Sequence, residues 1–362
     1  MGGDDELPPI PKVRWEMRRF KQAILCLAIV VMASSVTVAW ADVFNMPDGE
    51  TSLQFVTVGD AGNAADTNGH GSVGYTYQMG KYDVTLGQYC QFLNAVAKAD
   101  PYGLYAGAMA GEFATLGIAR SGSSGSYSYT VTGSYSQAAN CPIFYVTWGD
   151  AVRLCNWLQN GQPARPEGDG TTETGAYTLN GAVTTSALMA VTRNAGATYF
   201  LPSEDEWYKA AYYKGGSTNA GYWLYPTQSN AMPSNVLSAT GTNNANFYNG
   251  VYTDPVNLLT PVGAFADSPG PYGTYDMAGN VLEWEEVYKG ASARGLRGGS
   301  FYGSTSIYMA SSHEYNSAPT FEDDFIGFRV AEAVPEPGSI AMLVAGAMSL
   351  LAYAWRRRAK AA

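Results

Sequence analysis

The chain never holds one hydrophobic period for long. Residues 53–58 alternate apolar and polar and are β-branched, which predicts a strand. A Gly/Asn/Asp-rich loop follows over 59–74 and carries His70. Residues 73–84 alternate again around Gly80 and predict a pair of short strands. The period then changes. Leu86, Tyr89, Phe92, Leu93 and Val96 recur at helical spacing within 85–97, with Thr85 placed to cap the helix. Residues 101–140 are poor in charge and rich in Gly, Ser and Tyr, which predicts turns and short hairpins, one of them over 127–131. Residues 143–146 predict a strand. Trp148, Gly149 and Asp150 then open a helix whose inner face holds Ala151, Leu154, Cys155 and Leu158, with Asp150 favourable in the first turn. Residues 161–198 read as an inserted loop with a hairpin near 176–179.

Ser203 and Glu206 form a capping box for a helix that runs through Tyr213 and stops at Gly215 and Gly216. The trio Glu204, Asp205 and Glu206 complements that helix's dipole. Residues 219–259 are a long loop dense in Asn, Tyr and Pro. Residues 294–301 and a final strand at 327–330 close the pattern.

Between these elements lies the most concentrated stretch, 272–286. Its Gly, Asn and Asp residues demand a tight turn. Asp276, Asn280 and Glu283 offer hard oxygen ligands of the kind calcium takes, and Trp284 can anchor the turn in a core. The simpler reading is a turn before a strand, its carboxylates facing water.

The chain has 362 residues, enough for one large or two small domains. Hydrophobic residues make up 46% and charged residues 14%, so a large core is possible and the surface must be mostly uncharged polar. With 41 Gly and 26 Tyr, the composition favours a loop-rich extracytoplasmic fold over a helical bundle. Between residues 42 and 355, 12 Lys and Arg stand against 27 Asp and Glu. So acidic a body lacks the positive footprint that nucleic-acid binding needs.

The ends differ from the body. Arg18, Arg19 and Lys21 precede an apolar run over 23–38 that Ala39-Trp40-Ala41 closes, the pattern of a secretory signal peptide over 1–41. The residues ahead of Met17 do not suit a signal start, which makes Met17 a candidate initiator. A retained membrane anchor is the competing reading. At the other end Pro335-Glu336-Pro337 leads into an uncharged apolar run over 340–355 and then Arg356, Arg357 and Arg358. That order predicts a tail over 333–362 that spans a membrane with its arginines cytoplasmic. It resembles the PEP-CTERM sorting signal, which implies export, at least transient anchoring, and an exosortase-type machinery as partner.

Of the 4 cysteines, Cys26 falls in the signal segment. Cys90, Cys141 and Cys155 remain, an odd number in apolar surroundings, so at least one is a free thiol.

The body, 42–332, resembles the formylglycine-generating enzyme (sulfatase-modifying factor) family. The pieces that carry the resemblance are Lys81-Tyr82-Asp83-Val84-Thr85 with Phe92-Leu93-Asn94, Val146-Thr147-Trp148-Gly149-Asp150-Ala151 with Cys155-Asn156-Trp157-Leu158, Leu201-Pro202-Ser203-Glu204-Asp205-Glu206-Trp207, Gly279-Asn280-Val281-Leu282-Glu283-Trp284, Arg297-Gly298-Gly299-Ser300-Phe301 and Gly327-Phe328-Arg329. Each is weak alone; in this order they are specific. The resemblance implies a single irregular α+β domain, loop-rich and C-type-lectin-like, with few short helices and strands.

It also implies structural Ca²⁺ held by two loops, one matching Asp276, Gly279, Val281 and Glu283, the other Asn246, Phe247, Asp254 and, less closely, Val256. The family's oxidase members hold Cu(I) with two cysteines, which match Gly303 and Tyr308 here. Neither is a soft thiolate, so copper and the oxidase chemistry are not expected. The disulfide that many members form cannot form here either, because Val330 stands opposite Cys155. The expectation is an exported binding or structural module without that activity, whose ligand is an envelope protein or a carbohydrate. The alternative is an enzyme with different oxidative or metal-dependent chemistry. The only histidines are His70 and His313, far apart in sequence. An iron or other metal site would centre on His313-Glu314, in the loop after the copper positions where the resemblance places the substrate groove. The simpler reading is a solvent-exposed loop histidine. Ser300, Tyr302 and Tyr308 could line that groove. A retained oxidase would need Cys90, Cys141 or Cys155 to replace the lost pair.

Overall fold

Short elements wound around long loops make up the domain. The computed structural model describes residue 46 and residues 52–303 and 306–334, all within the compact unit Phe44–Ala362. The expected signal segment and sorting tail lie outside the described residues, and among the described residues no helix is long and apolar enough to cross a membrane.

The first sheet has the order β1-β2-β10-β5, all antiparallel, from β1 (Phe55–Val58), β2 (Tyr77–Gly80), β5 (Tyr199–Phe200) and β10 (Ala331–Ala333). A hairpin pairs β3 (Gly117–Ser121) with β4 (Ser128–Thr132). The second sheet has the order β8-β7-β6-β9, from β6 (Leu282–Lys289), β7 (Ala293–Arg297), β8 (Tyr315–Ser317) and β9 (Ile326–Gly327), with β9 parallel to β6. The helices are α1 (Leu86–Val96), α2 (Trp148–Gln159), α3 (Thr185–Met189) and α4 (Glu204–Tyr212). This is the loop-rich α+β class that the sequence predicts.

Local chemistry fixes the longer helices. Thr85, Thr147 and Ser203 each accept from the third helical N–H, and Gln88, Asp150 and Glu206 return a bond to the cap backbone. These boxes satisfy amides that a helix start otherwise leaves bare. α4 ends at Tyr212, ahead of the expected glycines, because Tyr213 turns extended and bridges to Tyr222.

Residues 143–146 form no strand. Tyr145 sits at φ 53°, and the chain bonds Val84 O through the Ile143 N–H and Asp323 O through the Tyr145 N–H, partners on different segments. Only Tyr77–Gly80 is a strand within 73–84. The final strand is two strands: β9 ends in the second sheet, and Phe328, Arg329 and Val330 carry the chain across to β10 in the first.

Three indoles pin β6 to its surroundings. Trp284 is fully buried and donates to Val146 O at 2.9 Å, Trp148 donates to Glu285 O at 3.1 Å, and Trp207 donates to Glu283 Oε2 at 2.7 Å. Truncating any of them is expected to cost about 3–5 kcal/mol.

Candidate functional site

Alternation along a strand sends successive side chains to opposite faces, and β6 sits at the centre of a sheet whose two faces differ sharply. On one face Leu282 stands in register with Ile326 of β9, and Leu296 of β7 with Tyr315 of β8. They floor a cleft of about 670 Å³, walled by Tyr248, Tyr252, Ser300, Tyr302, Gly303, Tyr308, Phe321 and Phe325, with Asn316 and Ser317 at the β8 edge. No charged side chain lines it among the described residues.

Its walls are aromatic pairs. Tyr248 and Tyr252 lie 4.9 Å apart between centroids, and Tyr308 and Tyr315 5.6 Å. Tyr302 is backed by Phe325 at 6.1 Å with the rings 13° from parallel, and Phe301 meets it edge-on. Burial pushes the Tyr315 phenol up to about 12, so it stays neutral. His313 packs edge-on against both Tyr308 and Tyr315, at 5.0 and 4.6 Å; burial and the nearby Arg297 lower its pKa.

The opposite face is a lattice of buried charge. Arg329 grips Glu283 through Nε and Nη2, reaches Asp83 Oδ1 at 2.8 Å, and donates to the carbonyls of Gly80 and Tyr275. Arg297 donates to Glu204 Oε1 at 2.6 Å and to His313 O at 2.9 Å. Glu285 lies 3.5 Å from Arg297 Nε with neither oxygen hydrogen-bonded, and burial pushes its carboxyl up to about 8. The acidic trio of α4 thus does more than complement a dipole. Glu204 pairs with Arg297 and Lys289, Asp205 accepts from the Gly71 N–H, and Glu206 pairs with Arg193.

The two loops expected to hold calcium run side by side. Asn246 bridges Gly279, the Asn246 amide nitrogen donates to Asn280 Oδ1 at 2.9 Å, and the Asn280 N–H donates to Asn246 O at 2.9 Å. Asp276 and Asn280 take positive φ, as does Gly279, where a Cβ would meet Asn246 O at 2.1 Å. The donors are not equally open. Both Glu283 oxygens are engaged by Arg329, and Oε2 also by Trp207. Asn280 is buried and spends its amide on Asn246 and Thr260. Asp276 accepts from the Gly263 N–H at 2.6 Å, and burial still pushes its carboxyl up to about 6. Val281 is buried just ahead of β6.

In the other loop Asn246 Oδ1 is buried with no hydrogen-bond partner. Its neighbour Phe247 offers a carbonyl that accepts from Asn235 and Thr253. The Asp254 carboxylate caps a turn by accepting from the Val256 and Asn257 N–H groups. An orphaned amide oxygen suits a hard cation, and Glu283 is the donor most committed elsewhere.

Gly303 and Tyr308 come together: a Cβ on Gly303 would lie 3.2 Å from Tyr308 Cδ2 and 3.3 Å from Ser300 O. Ser300, Tyr302 and Tyr308 line the cleft as expected for a groove. Sequence reasoning missed Tyr248, Tyr252, Tyr315, Phe321 and Phe325, whose lone aromatic letters in loops carry no period.

His70 and His313 do not combine into a metal triad. His70, Glu204 and Glu314 bring ligand atoms within 4.8 Å of one another, but Lys289 and Arg297 pair with both carboxylates, so a metal would compete with two cations. Cys90, Cys141 and Cys155 are buried; Cys141 and Cys155 are free thiols, and burial raises the pKa of each.

The chain matches known families and resembles solved structures. Residues 41–334 match the sulfatase-modifying factor enzyme 1-like domain, and residues 333–358 match the PEP-CTERM protein-sorting motif. Solved structures similar to this one include CarF (TM-score 0.47, 20% identity, covering 78% of this chain and 99% of that one). Variable protein 1 of Treponema denticola gives TM-score 0.46 at 20% identity over 78% and 96%, and PvdO of Pseudomonas aeruginosa 0.40 at 20% over 78% and 92%. No curated protein matches the chain.

Proposed function

The chain belongs to the sulfatase-modifying factor enzyme 1-like family and carries a PEP-CTERM sorting motif, and from that premise we propose that it is an exported binding module that no longer oxidises cysteine. The motif implies sorting by exosortase-type machinery. The domain works at the envelope or outside the cell, anchored at least transiently by its tail, on an envelope protein or a carbohydrate.

The observation that carries this reading is the lining of the cleft. At the positions that the resemblance equates with the copper cysteines stand Gly303 and Tyr308, in contact with each other. Among the described residues the lining holds no Cys, His, Asp, Glu or Lys. Soft-metal binding needs thiolates, and acid–base work needs a titratable group within reach. Among the described residues the lining has no thiolate, and its only titratable groups are tyrosine phenols, whereas aromatic faces beside neutral polar groups are what ligand sites are made of.

Incubating the purified domain with Cu(I), oxygen and a sulfatase-type cysteine peptide is expected to leave the peptide mass unchanged. Formation of the aldehyde overturns the reading. The paired substitution Gly303→Cys with Tyr308→Cys supplies the positive arm, because removing the ring frees the space that the new thiol needs; it is expected to bind Cu(I) where the native domain does not.

Structural Ca²⁺ is part of the same reading, with the Asn246, Phe247 and Asp254 loop as its principal holder. The buried, unpartnered Asn246 Oδ1 supports it. An ion bound only by the native state raises stability by mass action. Added Ca²⁺ is expected to raise Tm relative to EDTA, and an unchanged Tm rejects the ion.

A further inference from the structure

We infer that the cleft's ligand is an uncharged carbohydrate, seated with a sugar ring on the face of Tyr302. The inference rests on the binding-module reading and narrows it to one ligand class.

The shape decides first between a small ligand and a protein surface. A stable protein partner covers roughly 800 Å² per side on a broad patch. A concave cleft of about 670 Å³ lies instead in the range of roughly 300–1,000 Å³ that small-molecule sites occupy.

Charge narrows the class. The described body is acidic, yet no carboxylate, guanidinium or ammonium lines the cleft. A charged ligand entering such a site would lose water and gain no counter-charge. Sulfated, phosphorylated and uronic sugars are therefore disfavoured, as are basic peptides.

The geometry then fits a pyranose. Tyr302 is 61% exposed, but its ring is held by Phe325 behind and Phe301 at the edge. That is a fixed platform with one free face. A sugar ring presents C–H groups to such a face and hydroxyls around its rim. Aromatic rings give large contact area at little entropic cost. Ser300, Asn316 and Ser317 supply neutral donors and acceptors for the hydroxyls. Phe321, 41% exposed, also lines the cleft and can carry a second sugar unit.

The test is titration of the purified domain with a panel of neutral oligosaccharides and, in parallel, uncharged peptides and cationic peptides, read by calorimetry. At least one neutral oligosaccharide is expected to bind saturably, with affinity unchanged between ~0.05 and ~0.5 M NaCl. Tyr302→Ala is expected to weaken it at least ~10-fold with Tm unchanged, and Phe321→Ala to weaken longer oligosaccharides more than shorter ones. No binding across the neutral panel overturns the inference. If uncharged peptides bind in a Tyr302-dependent way, the carbohydrate is rejected and the binding-module reading stands. Binding only to cationic peptides, weakening with salt, also rejects it. Oxidation of a cysteine peptide rejects the binding-module reading itself.

Discussion

The two faces of the β8-β7-β6-β9 sheet use the same strands and share almost no chemistry. Toward α4, Glu283, Glu285 and Arg297 join Arg329, Asp83 and Glu204 in a dry lattice of ions. Toward solvent, Leu282, Leu296, Tyr315 and Ile326 floor a cleft without a formal charge. One residue of register separates them: Glu283 faces the lattice and Leu282 the cleft. The family motifs concentrate on the charged face, where Arg329, Glu283, Asp83, Arg297 and Glu204 are paired with one another and Glu285 alone has neither oxygen hydrogen-bonded. The cleft is set by aromatic residues scattered over loops, where size and neutrality matter more than an individual partner. The motif residues Arg297, Glu283 and Arg329 therefore report the scaffold, while under the proposed reading the cleft lining carries the ligand.

Substitutions can break this contrast. The largest effect is expected from Arg329→Ala, which leaves Glu283 and Asp83 buried without their cation; the loss is about 3–5 kcal/mol, measured by urea denaturation. A smaller loss, about 1–3 kcal/mol, is expected from Gly279→Ala, because the residue needs positive φ and its Cβ would strike Asn246 O.

pH separates the regions differently. Glu167, in the loop after α2 and outside both faces of the sheet, is pushed up to about 8 by burial, so the folded state holds that proton more tightly than the unfolded chain does. Its stabilisation is complete below the ordinary carboxylate value and is lost as pH rises through about 8. Tm is expected to fall by a few degrees from about pH 5 to about pH 8, and Glu167→Gln to flatten the slope. Ligand affinity in the cleft is expected to stay flat over that range, since Tyr315 titrates only near 12. The smallest stability effect belongs to Tyr302→Ala, under about 0.5 kcal/mol, because that ring is mostly exposed. A large loss there would mean that the cleft is part of the scaffold after all.

Much of the scaffold was legible. Thr85 and Ser203 announced their helices, because capping chemistry is local in sequence. Gly279 and Asn280 announced a tight turn for the same reason. The hydrophobic pattern did not foresee β8 or α3, which are too short to show a period. It placed a strand at 143–146, where hydrogen bonds to two distant segments override alternation. Arg329 was visible as part of a motif but not as a buried hub, since its partners at positions 83 and 283 come from far along the chain. The cleft was half visible: Ser300, Tyr302 and Tyr308 were named, while the aromatic residues at 248, 252, 315, 321 and 325 meet only in three dimensions.

Among the described residues β10 is the last strand in sequence, yet it lies inside the first sheet, between β2 and β5. Any chain delivered from its N-terminus must therefore leave β2 half-paired, and Glu283 without its guanidinium, until residues 329–333 arrive. Such long-range closure is slow and leaves unpaired edges waiting. The sorting motif at 333–358 begins where that closure completes. Folding of the domain and presentation of the motif are thus events in one order of arrival, and a chain released before residue 329 would present neither a finished sheet nor a neutralised core.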